Sequence, residues 1–221
     1  MKLCQIPAVL LAALILSGCS DSYEAAEPGP VEDGGMEEAA VLFEETDFSG
    51  GKTVTRFQTS DSRYWSGNGY TLWTVWGDEL PFTDRTVKLN KPKGYEGAGY
   101  GLVICQGARF FEGREEKTML TVMINNNGQY ALGKVIGSRY ESMQGWTNSS
   151  FIREGPGAPN TITVRSNGDG FVLLINDHAI RTFSDGAEPR HSGGRNGYIV
   201  VIAPSDNNTQ GGVDVYFTET K

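Results

Sequence analysis

From residue 41 onward the chain alternates short runs of β-branched and aromatic residues with clusters of Gly, Asn and Asp, and it shows no sustained helical periodicity. The runs predict strands at 70–75, 82–89, 99–105, 118–124, 129–136, 161–165, 171–175, 179–183, 197–202 and 213–218. Asn127-Gly128, Asn167-Gly168-Asp169-Gly170 and Asn176-Asp177-His178 separate successive runs, and such residues tolerate the positive φ of tight hairpin turns. Phe171-Val172-Leu173-Leu174-Ile175 and Tyr198-Ile199-Val200-Val201-Ile202 are apolar at both parities and need cover on both faces. Two stacked antiparallel sheets meet these demands. With long connections at 57–69 and 184–196, the pattern predicts an all-β jelly-roll sandwich over residues 41–221.

The first forty residues read differently. Lys2 is followed by an apolar stretch from Ile6 to Leu16, and Leu16-Ser17-Gly18-Cys19 closes it. The stretch falls short of the roughly 20 apolar residues that span a bilayer. It resembles the lipobox of bacterial lipoproteins, which implies a signal peptide at 1–18 and a lipid on Cys19; an ordinary secretory cleavage site is the alternative. Several acyl chains on one cysteine hold a protein durably where one holds it marginally. Ser20 stands where the related sorting rule places a retention aspartate, which implies the outer rather than the inner membrane, although Asp21 follows directly. Residues 19–40 carry Glu27-Pro28-Gly29-Pro30 and Glu32-Asp33-Gly34-Gly35 with little to bury, so they read as a flexible acidic tether, with a short helix near 36–42 as the alternative.

Net charge is −8 and becomes one unit more negative once Lys2 leaves with the leader. A field of that sign repels phosphate backbones, so nucleic acid is not an expected partner. Cys4 leaves with the leader and Cys19 is the lipid site, so Cys105 has no partner for a disulfide. It lies in an apolar run and reads as a small buried hydrophobe.

Phe48-Ser49-Gly50, Phe82-Thr83-Asp84-Arg85-Thr86-Val87 and Gly99-Tyr100-Gly101-Leu102-Val103-Ile104 come in an order that resembles the concanavalin A-like, laminin G-like jelly rolls of bacterial secreted proteins. Gly128-Gln129-Tyr130-Ala131-Leu132-Gly133-Lys134, Trp146, Asn160-Thr161-Ile162-Thr163-Val164 and Gly193-Gly194-Arg195-Asn196-Gly197 continue it, and the layout is similar to the 3-keto-disaccharide hydrolase-like group. The resemblance implies a fold more than an activity.

Jelly-roll glucanases carry alternating acids on one strand, and no such strand occurs here. Asp78-Glu79-Leu80-Pro81 comes nearest and reads as a turn before a strand, while Glu112, Glu115 and Glu116 among Arg109, Arg114 and Lys117 read as a solvated loop. Two histidines, His178 and His191, give little material for zinc. Asp206, Asn208 and Asp214 are candidate calcium ligands, a role the laminin G-like resemblance also implies; a polar turn is the alternative. Gly97-Ala98-Gly99-Tyr100-Gly101 opens a strand, so it reads as close backbone packing rather than a dinucleotide fingerprint. Trp73 and Trp76 fall on opposite faces of an extended strand, one of them core.

Aromatic rings beside polar groups suit the flat faces and hydroxyls of sugars. The candidate ligand-binding set is Tyr64, Trp65, Trp146, Arg195 and Asn196. The leading expectation is a lipid-anchored envelope protein whose jelly roll binds a glycan or a protein without catalysis. A glycan-processing hydrolase and a purely structural envelope subunit are the alternatives.

Overall fold

The structure, a computed structural model, describes residues 43–48, 50–59, 70–111, 113–137, 139–168, 170–184, 193–202 and 212–220. The leader, the tether, Cys19, Tyr64, Trp65, His191, Asp206 and Asn208 lie outside them.

Every regular element among these residues is a strand. In chain order they are β1 (Phe43–Phe48), β2 (Lys52–Gln58), β3 (Tyr70–Pro81), β4 (Arg85–Lys93), β5 (Tyr100–Phe111), β6 (Arg114–Ile124), β7 (Gln129–Ile136), β8 (Arg139–Asn148), β9 (Asn160–Ser166), β10 (Phe171–Ile175), β11 (His178–Phe183), β12 (Gly193–Ile202) and β13 (Asp214–Thr220). They form two antiparallel sheets, one of seven strands ordered β1-β2-β13-β4-β9-β10-β11 and one of six ordered β3-β12-β5-β6-β7-β8. The sequence expectation of an all-β, two-sheet jelly roll is met.

Alternation explains the stacking. Phe57, Val87, Leu89, Ile162, Val164, Leu173, Val215 and Phe217 of the larger sheet face Tyr100, Leu102, Ile104, Leu120, Val122, Leu132, Tyr198 and Val200 of the smaller in one buried cluster. Each such side chain contributes about 1.5–3 kcal/mol by leaving water. The turns do what their residues permit. Asn176 and Asp177 both take positive φ, 50° and 69°, between the paired Ile175 and His178, and Gly128 takes 75° before β7.

Polar groups pin both ends of the sandwich. Lys91 is fully buried, donates to the carbonyls of Tyr95 and Ala98 and lies 5.1 Å from the Tyr100 ring centre. The Tyr100 hydroxyl donates to Asn126 Oδ1 at 3.0 Å. Elsewhere between the sheets Arg85 sits 5.2 Å from both the Trp76 and Tyr198 rings and pairs with Glu219, which also accepts the Tyr198 hydroxyl at 2.7 Å.

Several expectations need correction. Arg114 to Lys117 open β6 instead of forming a solvated loop, because Phe110 and Phe111 of β5 pair with Glu115 and Arg114 and extend the hairpin. Asp78 to Pro81 continue β3 rather than turning, because Leu80 and Pro81 pair with Gly194 and Gly193. Arg195 and Asn196 belong to β12 rather than to the connection expected at 184–196, with a register shift beside Gly194. Strands β1, β2 and β8 were not anticipated. Cys105 is not disulfide-bonded, is fully buried and takes φ 55° in an irregular stretch of β5, where its N–H donates to Asn196 Oδ1 at 3.2 Å.

Candidate functional site on the outer face of the six-stranded sheet

The parity that does not enter the core points outward. One outward row runs Trp73, Ile199, Gly101, Met123 and Ala131 across β3, β12, β5, β6 and β7. The next runs Val75, Gly197, Val103, Thr121 and Gly133, reaching Ser142 on β8. An outward row left to solvent is normally polar; the first of these is apolar and, apart from Trp73, buried. Val103, Met119, Met123, Val135 and Ile199 form a second buried cluster, with Trp73, Val75, Tyr140, Trp146 and Val201 packed against it and only partly buried. Trp73 is therefore outward, whereas Trp76 meets the core residue Tyr198 with ring centres 4.7 Å apart, so the two tryptophans do occupy opposite faces.

Glycine makes the floor on which the rings lie. A Cβ on Gly99 would fall 2.9 Å from Trp146 Cη2, and one on Gly133 would fall 2.3 Å from the Tyr140 hydroxyl oxygen. Each ring thus occupies the space of an absent side chain. Gly101 and Gly197 answer to the backbone, since a Cβ would come within 2.0 Å of the Val122 carbonyl oxygen and 1.7 Å of that of Thr74. Burial pushes the Tyr140 phenol above its ordinary value, and the nearby Thr121 hydroxyl acts weakly the other way. Thr121 is itself fully buried, and its Oγ1 makes no hydrogen bond of sound geometry.

At the β8 edge Glu141 pairs with Lys134 at 3.0 Å and Arg139 at 2.9 Å. The hydrogen bond from Lys134 does most to hold its carboxyl below the usual range. Among the described residues neither of the two outward rows carries a carboxylate, although Glu115 shares the parity of Met119 and Thr121 farther along β6. Glu79 lies off this face, with its carboxyl 3.4 Å from the position a Cβ on Gly107 would take. The face offers partly buried aromatic rings laid over a glycine floor, an arrangement that suits binding by stacking.

Of the candidate residues, Trp146 lies on this face. Arg195 and Asn196 share the sheet but sit four and three residues down β12 from the Ile199 row, roughly 10–13 Å away at strand rise. Asn196 is committed to the Cys105 amide. The Asp214 side chain is 8% exposed; Arg56 holds both of its oxygens at 2.9 Å and the Tyr216 hydroxyl adds a contact at 3.2 Å. Among the described residues no group of three or more His, Cys, Asp or Glu is placed to hold a metal. Tyr140 was missed because its strand was missed.

No family model matches the chain, and no curated protein matches it. Solved structures do. A GH16 protein of a mixed-linkage glucan locus of Bacteroides ovatus, in complex with G4G4G3G product, matches 81% of this chain and 85% of its own at 12% identity and a TM-score of 0.51. The carbohydrate binding module CBM66 of Bacillus subtilis covers 80% and 92% at 9% identity and a TM-score of 0.47, and the Bacillus licheniformis β-glucanase covers 80% and 82% at 9% identity and 0.44. With the two-sheet topology, the first of these defines the class of fold as a concanavalin A-like jelly-roll β-sandwich.

Proposed function

We propose that this protein is a non-catalytic glycan-binding module which stacks neutral sugar rings on Trp73, Tyr140 and Trp146. The observation that carries the reading is the pairing of Tyr140 and Trp146 with a glycine floor on the outward side of the six-stranded sheet, with Trp73 on the same side. Sugar rings present C–H faces that replace water on such plates. A protein of the same fold was solved with a glucan product, so glucan oligosaccharides are the first ligands to test.

Titration of mixed-linkage glucan oligosaccharides, followed by tryptophan fluorescence and calorimetry, is the direct experiment. Removing one stacked ring is worth about 1 kcal/mol, or roughly fivefold in affinity, for Trp73→Ala and for Trp146→Ala. Absence of binding to any neutral glycan at millimolar concentration would overturn the reading. So would release of new reducing ends by the purified protein.

The leader supports the further proposal that Cys19 is acylated and that the module is tethered to the outer membrane by residues 19–40. Cys19→Ala then abolishes incorporation of a fatty-acid analogue and releases the protein from the membrane fraction. Persistent labelling of that variant refutes the assignment.

A further inference from the structure

The opposite side of the sandwich carries a depression of about 800 Å³ on the outer face of the seven-stranded sheet. It is built on one register row: Val54 of β2, Thr218 of β13, Lys88 of β4 and Thr161 of β9 are successive partners across four strands. Lys52 flanks the row on β2, and Gly157 and Pro159 form one wall.

Charge distinguishes this depression from the rest of the molecule. The chain has net charge −8, yet the lining holds two lysines and no carboxylate. The neighbouring cation, Arg56, is tied to Asp214, whereas among the described residues the Lys88 side chain makes no ion pair or hydrogen bond and the Lys52 ammonium lies 5.9 Å from the Phe48 ring centre. Lys52 pairs with Thr220 and Lys88 with Thr218, so their backbones stand two strands and two residues apart, about 12 Å by sheet geometry. Long side chains can close that gap over a bound chain. Around them the hydroxyls of Thr218, Thr86 and Thr161 supply donors and acceptors, and Tyr216 supplies a flat surface.

We propose that this depression is a second binding site, for an acidic oligosaccharide whose carboxylate or sulfate groups meet Lys52 and Lys88 while its hydroxyls meet the threonine row. The site is independent of the aromatic face, so a failure of either reading leaves the other intact.

The test is amide chemical-shift mapping of the protein with three probes: a galacturonate hexamer, a sulfated galactan oligomer and a neutral glucose hexamer. At least one acidic probe shifts residues of β2, β4, β9 and β13, and the neutral probe does not shift them. Lys88→Gln and Lys52→Gln each weaken that binding about threefold, Lys88→Arg restores it, and added salt weakens it. Both lysines are exposed, so neither change threatens the fold. A carboxylated probe binding alone assigns uronate polymers, and a sulfated one alone assigns sulfated polymers. Failure of both acidic probes, equal binding of the neutral probe at the same amides, or insensitivity to the lysine variants overturns the proposal.

Discussion

Replacing Gly133 by alanine attacks the aromatic face from beneath. The new Cβ would lie 2.3 Å from the Tyr140 hydroxyl oxygen and 2.4 Å from two ring carbons, far inside contact distance, and the obstacle is the free end of a side chain. Tyr140 must swing away from Val135, its partner across the strands, and from Thr121. Full burial of a large apolar side chain is worth about 1.5–3 kcal/mol; for a partly buried ring the loss is about 1–2 kcal/mol. Alanine restricts the unfolded chain more than glycine and returns at most about 0.4–1 kcal/mol. The net cost is about 1 kcal/mol, a fall of roughly 2–4 °C in Tm for a domain of this size. Thermal unfolding measures it. Spectrophotometric titration supplies a second readout, because the phenol, held above 10.0 by burial, moves back toward that value once the ring is displaced. Glucan affinity falls as well. An unchanged Tm together with an unchanged phenol titration would refute the argument that Tyr140 rests where a side chain is missing.

Burial raises the phenols of Tyr100, Tyr140 and Tyr198. The folded state therefore keeps protons that the unfolded state releases, so stability is whole below the unfolded value of 10.0 and declines as pH rises beyond it toward the folded values. Urea unfolding across the alkaline range checks this, and a flat profile contradicts it. In a soluble form beginning after Cys19, Cys105 is fully buried and should react with a thiol reagent only at the rate of unfolding; immediate labelling would place it at the surface. Asp177→Gly relieves a left-handed residue in the β10–β11 turn and should stabilise the domain by about 0.5 kcal/mol, raising Tm by roughly 1–2 °C.

Strands buried on one or both faces were legible from composition because alternation and burial coincide in them. The expected limits of 129–136 and 171–175 match β7 and β10. Strand β8 was not legible for a physical reason. Two register shifts each insert a residue opposite β7, so its polar and apolar positions lose period two along the run. The two insertions cancel, which leaves Tyr140 and Trp146 on one face although six residues and two irregularities separate them. Strand β1 is an edge with almost every side chain exposed, and it owes its place to β2 rather than to its own pattern. The aromatic character of the site was visible at Trp146, but the floor was not. That Gly99 lies under Trp146 and Gly133 under Tyr140 depends on pairings between distant segments, which local sequence does not encode. The lysine row is likewise a product of register, since Lys52, Lys88 and Thr161 have no sequence proximity.

The margin strand Phe43–Phe48 bears Glu44, Glu45 and Asp47 and closes one side of the seven-stranded sheet. Two molecules adding to each other along that margin would bring carboxylates within one interstrand spacing, about 4.8 Å, and the repulsion opposes ribbon growth at neutral pH. Under the proposed Cys19 anchor, molecules crowded at a surface are thereby kept from joining along this margin.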